Sequence, residues 1–104
     1  MTALALTASQ RRALKARAHQ LSPVVQVGRS GVSDAFVAEL DRALEAHELV
    51  KIRLRGERDD RAAQLADMTA RLDCAVVGTV GAVAILYREA DEDNDYENDA
   101  EDGE

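Results

Sequence analysis

The stretch Pro23-Val24-Val25-Gln26-Val27-Gly28-Arg29-Ser30-Gly31-Val32-Ser33 most constrains what this chain can fold into. Proline holds the residue before it in extended geometry, so a preceding helix must end at Leu21-Ser22. Val24 to Val27 reads as a brief apolar strand. Two glycines three positions apart then interrupt it. Ser33 and Asp34 supply a cap and a first-turn carboxylate for a following helix. A strand that feeds straight into a helix must cross over before it pairs again, which commits the chain to an α/β arrangement.

The flanking segments fit that frame. Upstream, a first helix runs from about Ser9 to His19, with Thr7 and Gln10 spaced for a capping box. Leu14, Ala18 and Leu21 form its apolar stripe; Arg11, Arg12, Lys15 and His19 share an adjacent face, and Arg17 falls outside that group. Downstream, a second helix spans Asp34 to His47 with Phe36, Val37, Leu40, Ala43 and Leu44 on its apolar side, where His47 is a packed or end-capping residue. Leu49 to Arg55 alternates with a period of two: Val50, Ile52 and Leu54 face inward, and Lys51, Arg53 and Arg55 outward. Gly56 to Arg58 turns the chain. Asp59 or Asp60 caps a third helix, which reaches about Asp73 and buries Ala62, Leu65, Met68, Thr69 and Leu72. Cys74 opens a third strand, Gly78 to Gly81 forms a turn, and Ala82 to Arg88 is a fourth strand. Being apolar on both faces, that strand is central or covered on both sides. The order α-β-α-β-α-β-β predicts a single α/β domain with a small mixed four-stranded sheet. Its first three strands are parallel and the fourth runs antiparallel to the third. Two helices share one face, and the first helix packs at the edge or on the other face.

The formal charge of −7 conceals a division. Residues 89–104 hold ten acids and no base, whereas residues 1–88 hold thirteen bases and ten acids. Arg11, Arg12, Lys15, Arg17 and Arg29 occupy the first 31 residues with no acid among them. Such asymmetry suits a polyanionic partner. The acidic end cannot bury enough surface to offset its ordering entropy. The expected organisation is therefore a folded domain over 1–88 and a disordered acidic tail over 89–104 that could shield the basic face. No apolar run is long enough to span a membrane, Leu4-Ala5-Leu6 is too short for a secretory signal, and a lone Cys74 cannot form an internal disulfide. A cytoplasmic location is expected.

Most site chemistry is missing. There is no Gly-x-Gly-x-x-Gly dinucleotide fingerprint, and no Lys-Ser/Thr follows the second glycine of the loop as a P-loop needs. His19, His47 and Cys74 lie one per element, without metal-ligand spacing. No serine-base-acid pattern stands out. Neither catalysis, nor a cofactor, nor a metal is expected. What remains is Gly28-Arg29-Ser30-Gly31. The same spacing recurs at Gly78 to Gly81, but that copy leads from strand to strand. The first leads into a helix, where glycine lets a polyanion approach the backbone. The amides of Val32, Ser33 and the first helical turn would face it, favoured by the helix dipole, with Arg29 at the tip. These features predict an RNA-backbone clamp, with Arg11, Arg12 and Lys15 neutralising phosphates and Lys51 and Arg53 extending the surface. An alternative is a protein-interaction adaptor whose basic face docks an acidic partner.

The chain resembles the CRM-domain (YhbY-type) RNA-binding proteins from about Leu6 to Arg88. The resemblance is carried by Arg12, Leu14, Lys15, Ala18 and His19, and by Leu21-x-Pro23-Val24-Val25-x-Val27-Gly28-x-x-Gly31. It continues in Ala43-Leu44-x-x-His47-Glu48-Leu49-Val50-Lys51-Ile52, then Val77-Gly78 and Leu86-Tyr87-Arg88. It implies a fold similar to the carboxy-terminal domain of translation initiation factor 3, and a non-enzymatic RNA-binding domain that contacts RNA through Gly28, Arg29, Ser30 and Gly31. It further implies ribosomal RNA or large-subunit precursors as partners during ribosome assembly. A monomer is expected. The acidic tail from Glu89 departs from the family pattern.

Overall fold

A computed structural model describes residues 6–89. Its elements are α1 (Ala8–Ala18), β1 (Val25–Gln26), α2 (Asp34–His47), β2 (Leu49–Arg53), α3 (Arg58–Leu72), β3 (Ala75–Val80) and β4 (Val83–Tyr87). The strands form one mixed sheet in the order β1-β2-β4-β3, with β1 parallel to β2 and β4 antiparallel to both its neighbours. The class, the element order and the central fourth strand are as expected. The last strand thus lies between β2 and β3, where both of its faces lose water: Ala84 and Leu86 pack toward one side of the sheet, and Ile85 toward the other.

Two cores explain the layering. Phe36, Leu40 and Leu44 of α2 and Met68 and Leu72 of α3 pack on Val25, Val27, Val50, Ile52, Leu54, Ala84 and Leu86. On the opposite face, Leu14 and Ala18 of α1 meet Leu49, Val77 and Ile85. The sheet is therefore sandwiched. Val50, Ile52 and Leu54 face inward as their alternation predicts, but the other face of β2 is not wholly wet, because α1 buries Leu49. Leu40 and Leu44 are completely buried, and truncating either to alanine costs about 2–5 kcal/mol.

Element ends follow local chemistry. The Thr7 N–H donates to Gln10 Oε1 at 2.9 Å and the Gln10 N–H donates to Thr7 Oγ1 at 3.0 Å, the reciprocal capping box. Ser33 Oγ accepts from the Phe36 N–H at 3.1 Å, and α2 has the expected limits. Helix α3 starts earlier than expected. Glu57 is its N-cap, and Asp60 reaches back to accept from the Glu57 N–H at 2.9 Å, so neither Asp59 nor Asp60 holds the cap position. His47 is exposed at the last position of α2, not packed.

Strand β3 corrects a second expectation. It begins at Ala75 and continues through Gly78 to Val80, so only Gly81 and Ala82 separate it from β4. A register shift between Val76 and Gly78 disturbs its ladder. Arg11 answers that irregularity: its Nη1 donates to the carbonyls of Val76 at 2.7 Å and Val77 at 3.2 Å, meeting the need of part-buried carbonyls for donors. Arg88 is a comparable staple. It pairs with Asp41 at 2.8 Å and donates to the carbonyls of Leu72 and Asp41 at 3.3 and 3.2 Å, tying the end of β4 to α2 and α3. Cys74 is buried, and burial pushes its thiol up to about 11 against the opposing pull of Arg88. It is the small buried hydrophobe that its context predicts.

Candidate nucleic-acid interface

The glycine turn springs from the sheet beside Arg53. The Val24 N–H donates to the Lys51 carbonyl at 3.0 Å and the Val27 N–H to the Arg53 carbonyl at 2.9 Å. The chain therefore leaves β1 next to the carboxyl end of β2. The Gly31 N–H then donates to the Gly28 carbonyl at 3.0 Å, closing a four-residue turn. Gly31 has φ +70, where a side chain is strained. A Cβ at Gly28 or Gly31 would meet nothing within 4 Å. Packing does not demand these glycines; the space in front of them is open to a ligand. Arg29 and Ser30 are exposed at the tip.

The amides behind the turn are partly committed. The Ser33 N–H donates to the Gly31 carbonyl at 2.9 Å, which corrects the expectation that it faces a ligand. The Phe36 N–H is taken by the cap. Among the described residues, the amides of Val32, Asp34 and Ala35 have no acceptor. Asp34 is the local counter-charge. Arg71 of α3 stands 3.6 Å from its carboxylate, 3.2 Å from Asp67, and donates to the Val32 carbonyl at 3.4 Å. Arg71 thus braces the turn–helix junction. Sequence reasoning missed it: the i,i+4 spacing to Asp67 is legible, but contact with a loop 39 positions away is not.

The predicted cations divide into three groups. Arg53 is exposed, opposite Gln26 of β1 and Val83 of β4, at the same end of the sheet as Gly28, Arg29, Ser30 and Gly31. Lys51 lies on the same face of β2 as Arg53; it is half-buried and its Nζ donates to the Leu21 carbonyl at 3.0 Å. Arg12 and Lys15 are exposed on α1. Lys15 lies over β3, since a Cβ on Gly78 would come within 2.6 Å of its Cε. β1 and β3 are opposite edges of the sheet, about 14 Å apart at three strand spacings. Arg11 belongs to neither patch, because its guanidinium is spent on β3. The result is a cationic turn at one edge, a helix-borne patch toward the other, and Arg53 on the sheet face between.

The CRS1/YhbY (CRM) domain model matches residues 6–88, and the chain belongs to that family. A Pseudomonas aeruginosa protein named as a probable RNA-binding protein is 41% identical over 86 residues, covering 82% of this chain and 83% of its own length. The Bacillus subtilis protein YqeI, of the same description, is 33% identical over 93 residues, covering 88% and 97% respectively. The solution structure of the Staphylococcus aureus hypothetical protein SAV1595, to which RNA binding is ascribed, superposes with a TM-score of 0.73 at 27% identity over 84% of this chain and 92% of that one.

Proposed function

We propose that this protein binds RNA through the sugar–phosphate backbone, with the Gly28–Gly31 turn as the clamp. One observation carries the reading: an unobstructed glycine turn, tipped by an unpaired arginine, sits between a strand end and a helix start. Among the described residues no ion pair or hydrogen bond engages the side chains of Arg29, Arg53 or Arg12, so their charge is available to phosphates. The names borne by the relatives point to the same ligand. Backbone docking fits the side chains present. The chain has no tryptophan and few aromatics, so a base-stacking platform is not its means of recognition.

The RNA is ribosomal, and the setting is assembly of the large ribosomal subunit; this finer assignment rests on the family resemblance. The protein acts by binding, not by catalysis. With four phosphates neutralised, by Arg29, Arg53, Arg12 and Lys15, raising salt from ~50 to ~200 mM weakens binding about 50- to 150-fold. Filter binding to a structured ribosomal RNA fragment measures this. A salt-independent affinity removes the phosphate-clamp reading. Cosedimentation of the protein with large-subunit precursors, and its absence from mature subunits, checks the setting.

A further inference from the structure

A groove at the opposite end of β2 plays no part in that reading. It encloses about 380 Å³ and is lined by Arg17, Leu21, Val24, His47 and Lys51, among others. It combines two chemistries. Leu21 and Val24 are 38% and 50% exposed, unusual for aliphatic side chains in this molecule. The Arg17 side chain forms no hydrogen bond or ion pair among the described residues, and the Lys51 ammonium donates to the Leu21 carbonyl. The described residues end here, at Glu89. The Arg88 N–H donates to the Glu48 carbonyl at 3.0 Å, so residue 89 emerges beside His47 on the groove wall. Arg17 is near enough to Tyr87, the last residue of β4, for its charge to act on the phenol. Residues 90–104 contain nine acids, no base and one aromatic, Tyr96.

We propose that residues 90–104 dock in cis on this groove, with carboxylates on Arg17 and Lys51 and the Tyr96 ring against Leu21 and Val24. Charge complementarity selects the occupant, and the exit point selects the place. A segment tethered at the groove wall acts at an effective concentration in the millimolar range, and the shortest loop costs the least closure entropy. Glu48 and Glu89 also act on Tyr87, so this end is not uniformly cationic. The attraction therefore depends on Arg17 and Lys51 and is salt-sensitive. On the RNA-binding reading, the docked segment would compete with any RNA that spreads from the glycine turn along β2. The docking itself does not require RNA.

The test compares the full chain with a full-length variant in which the nine acids of residues 90–104 become Asn or Gln. Backbone amide spectra are recorded without RNA. At ~20 mM salt the two proteins are expected to differ at Arg17, Leu21, His47 and Lys51 but not at Arg29 or Gly31, and the difference vanishes at ~0.5 M salt. Arg17→Glu in the otherwise unchanged chain, at an exposed position, abolishes the same difference. Tyr96→Ala reduces it at Leu21 and Val24. Identical spectra at low salt overturn the proposal, as do differences centred on Arg29 and Arg53. Differences that grow with protein concentration place the segment on a second copy and overturn docking in cis.

Discussion

The segments Gly28–Gly31 and Gly78–Gly81 share their spacing and a second glycine with positive φ and open space in place of its Cβ, and differ at the first glycine and in what flanks them. The first closes a four-residue turn between β1 and α2, exposes Arg29, and leaves open space where each glycine Cβ would be. The second is split between two roles. Gly78 sits within β3 beneath the Lys15 side chain, and Gly81, with φ +58, forms the hairpin tip together with Ala82. Between them stand Thr79 and Val80, the latter 74% exposed, with no cation. The space beside Gly78 is taken by the end of the Lys15 side chain; the space beside Gly28 is open. Spacing alone does not mark a site. The flanking elements, and the direction in which the missing side chain would have pointed, do.

That contrast can be broken by substitution. Gly28→Asp with Arg29→Glu places two new anions in the open turn without disturbing a packed neighbour. RNA affinity is expected to fall about 100-fold or more at low salt, while the melting temperature stays close to that of the parent. Filter binding and a thermal melt read the two quantities, and unchanged affinity removes the turn from the interface. Gly78→Val should do far less. A Cβ there meets only the flexible end of the Lys15 side chain, so stability is expected to stay within about 1 kcal/mol of the parent, and RNA affinity to fall no more than about 10-fold, the loss of one phosphate contact. If Gly78→Val weakened binding as strongly as the first pair, the two turns would not be distinct in function.

A finer cut separates the two glycines of the first turn. Gly31→Ala is forced into a left-handed conformation and is expected to lose about 1 kcal/mol. Gly28→Ala meets no atom and should lie within ~0.5 kcal/mol of the parent. Chemical denaturation resolves the pair. The smallest effect concerns the strand that carries the second copy. Cys74, just ahead of β3, has its thiol pushed up to about 11 by burial. A raised value favours the protonated form in the folded state, so this contribution is full below about pH 9 and is lost as pH rises toward 11. Stability of the parent should therefore fall more across that interval than stability of Cys74→Ala, and native Cys74 should resist thiol reagents until the protein unfolds.

Much of this molecule was legible before its fold was known. The Thr7–Gln10 box, the Ser33 cap and the limits of α2 depend on groups three or four residues apart, so local sequence encodes them directly. The alternation in β2 named its core face, and the apolarity of β4 on both faces predicted a central place. The candidate site was legible in part. The turn, Arg29 and Arg53 could be named from strand–turn–helix order and side-chain alternation. Arg11 could not be told from Arg12, because the carbonyls that capture it lie 65 and 66 positions away. The acidic tail expected to be disordered, residues 89–104, lies outside the described residues from position 90 onward.

By itself, then, the sequence determined the element order, the caps of α1 and α2 and the family to which the chain belongs, but not the cap of α3 or the extent of β3. Each of these rests on short-range periodicity or a local hydrogen bond. Only the tertiary structure decided that β4 enters between β2 and β3, that α1 buries Leu49, that Arg11 is consumed by the irregularity in β3, and that Arg71 braces the glycine turn. Those outcomes depend on which distant backbone groups lack partners once the sheet has closed. A side chain's own neighbours in the chain carry no record of that.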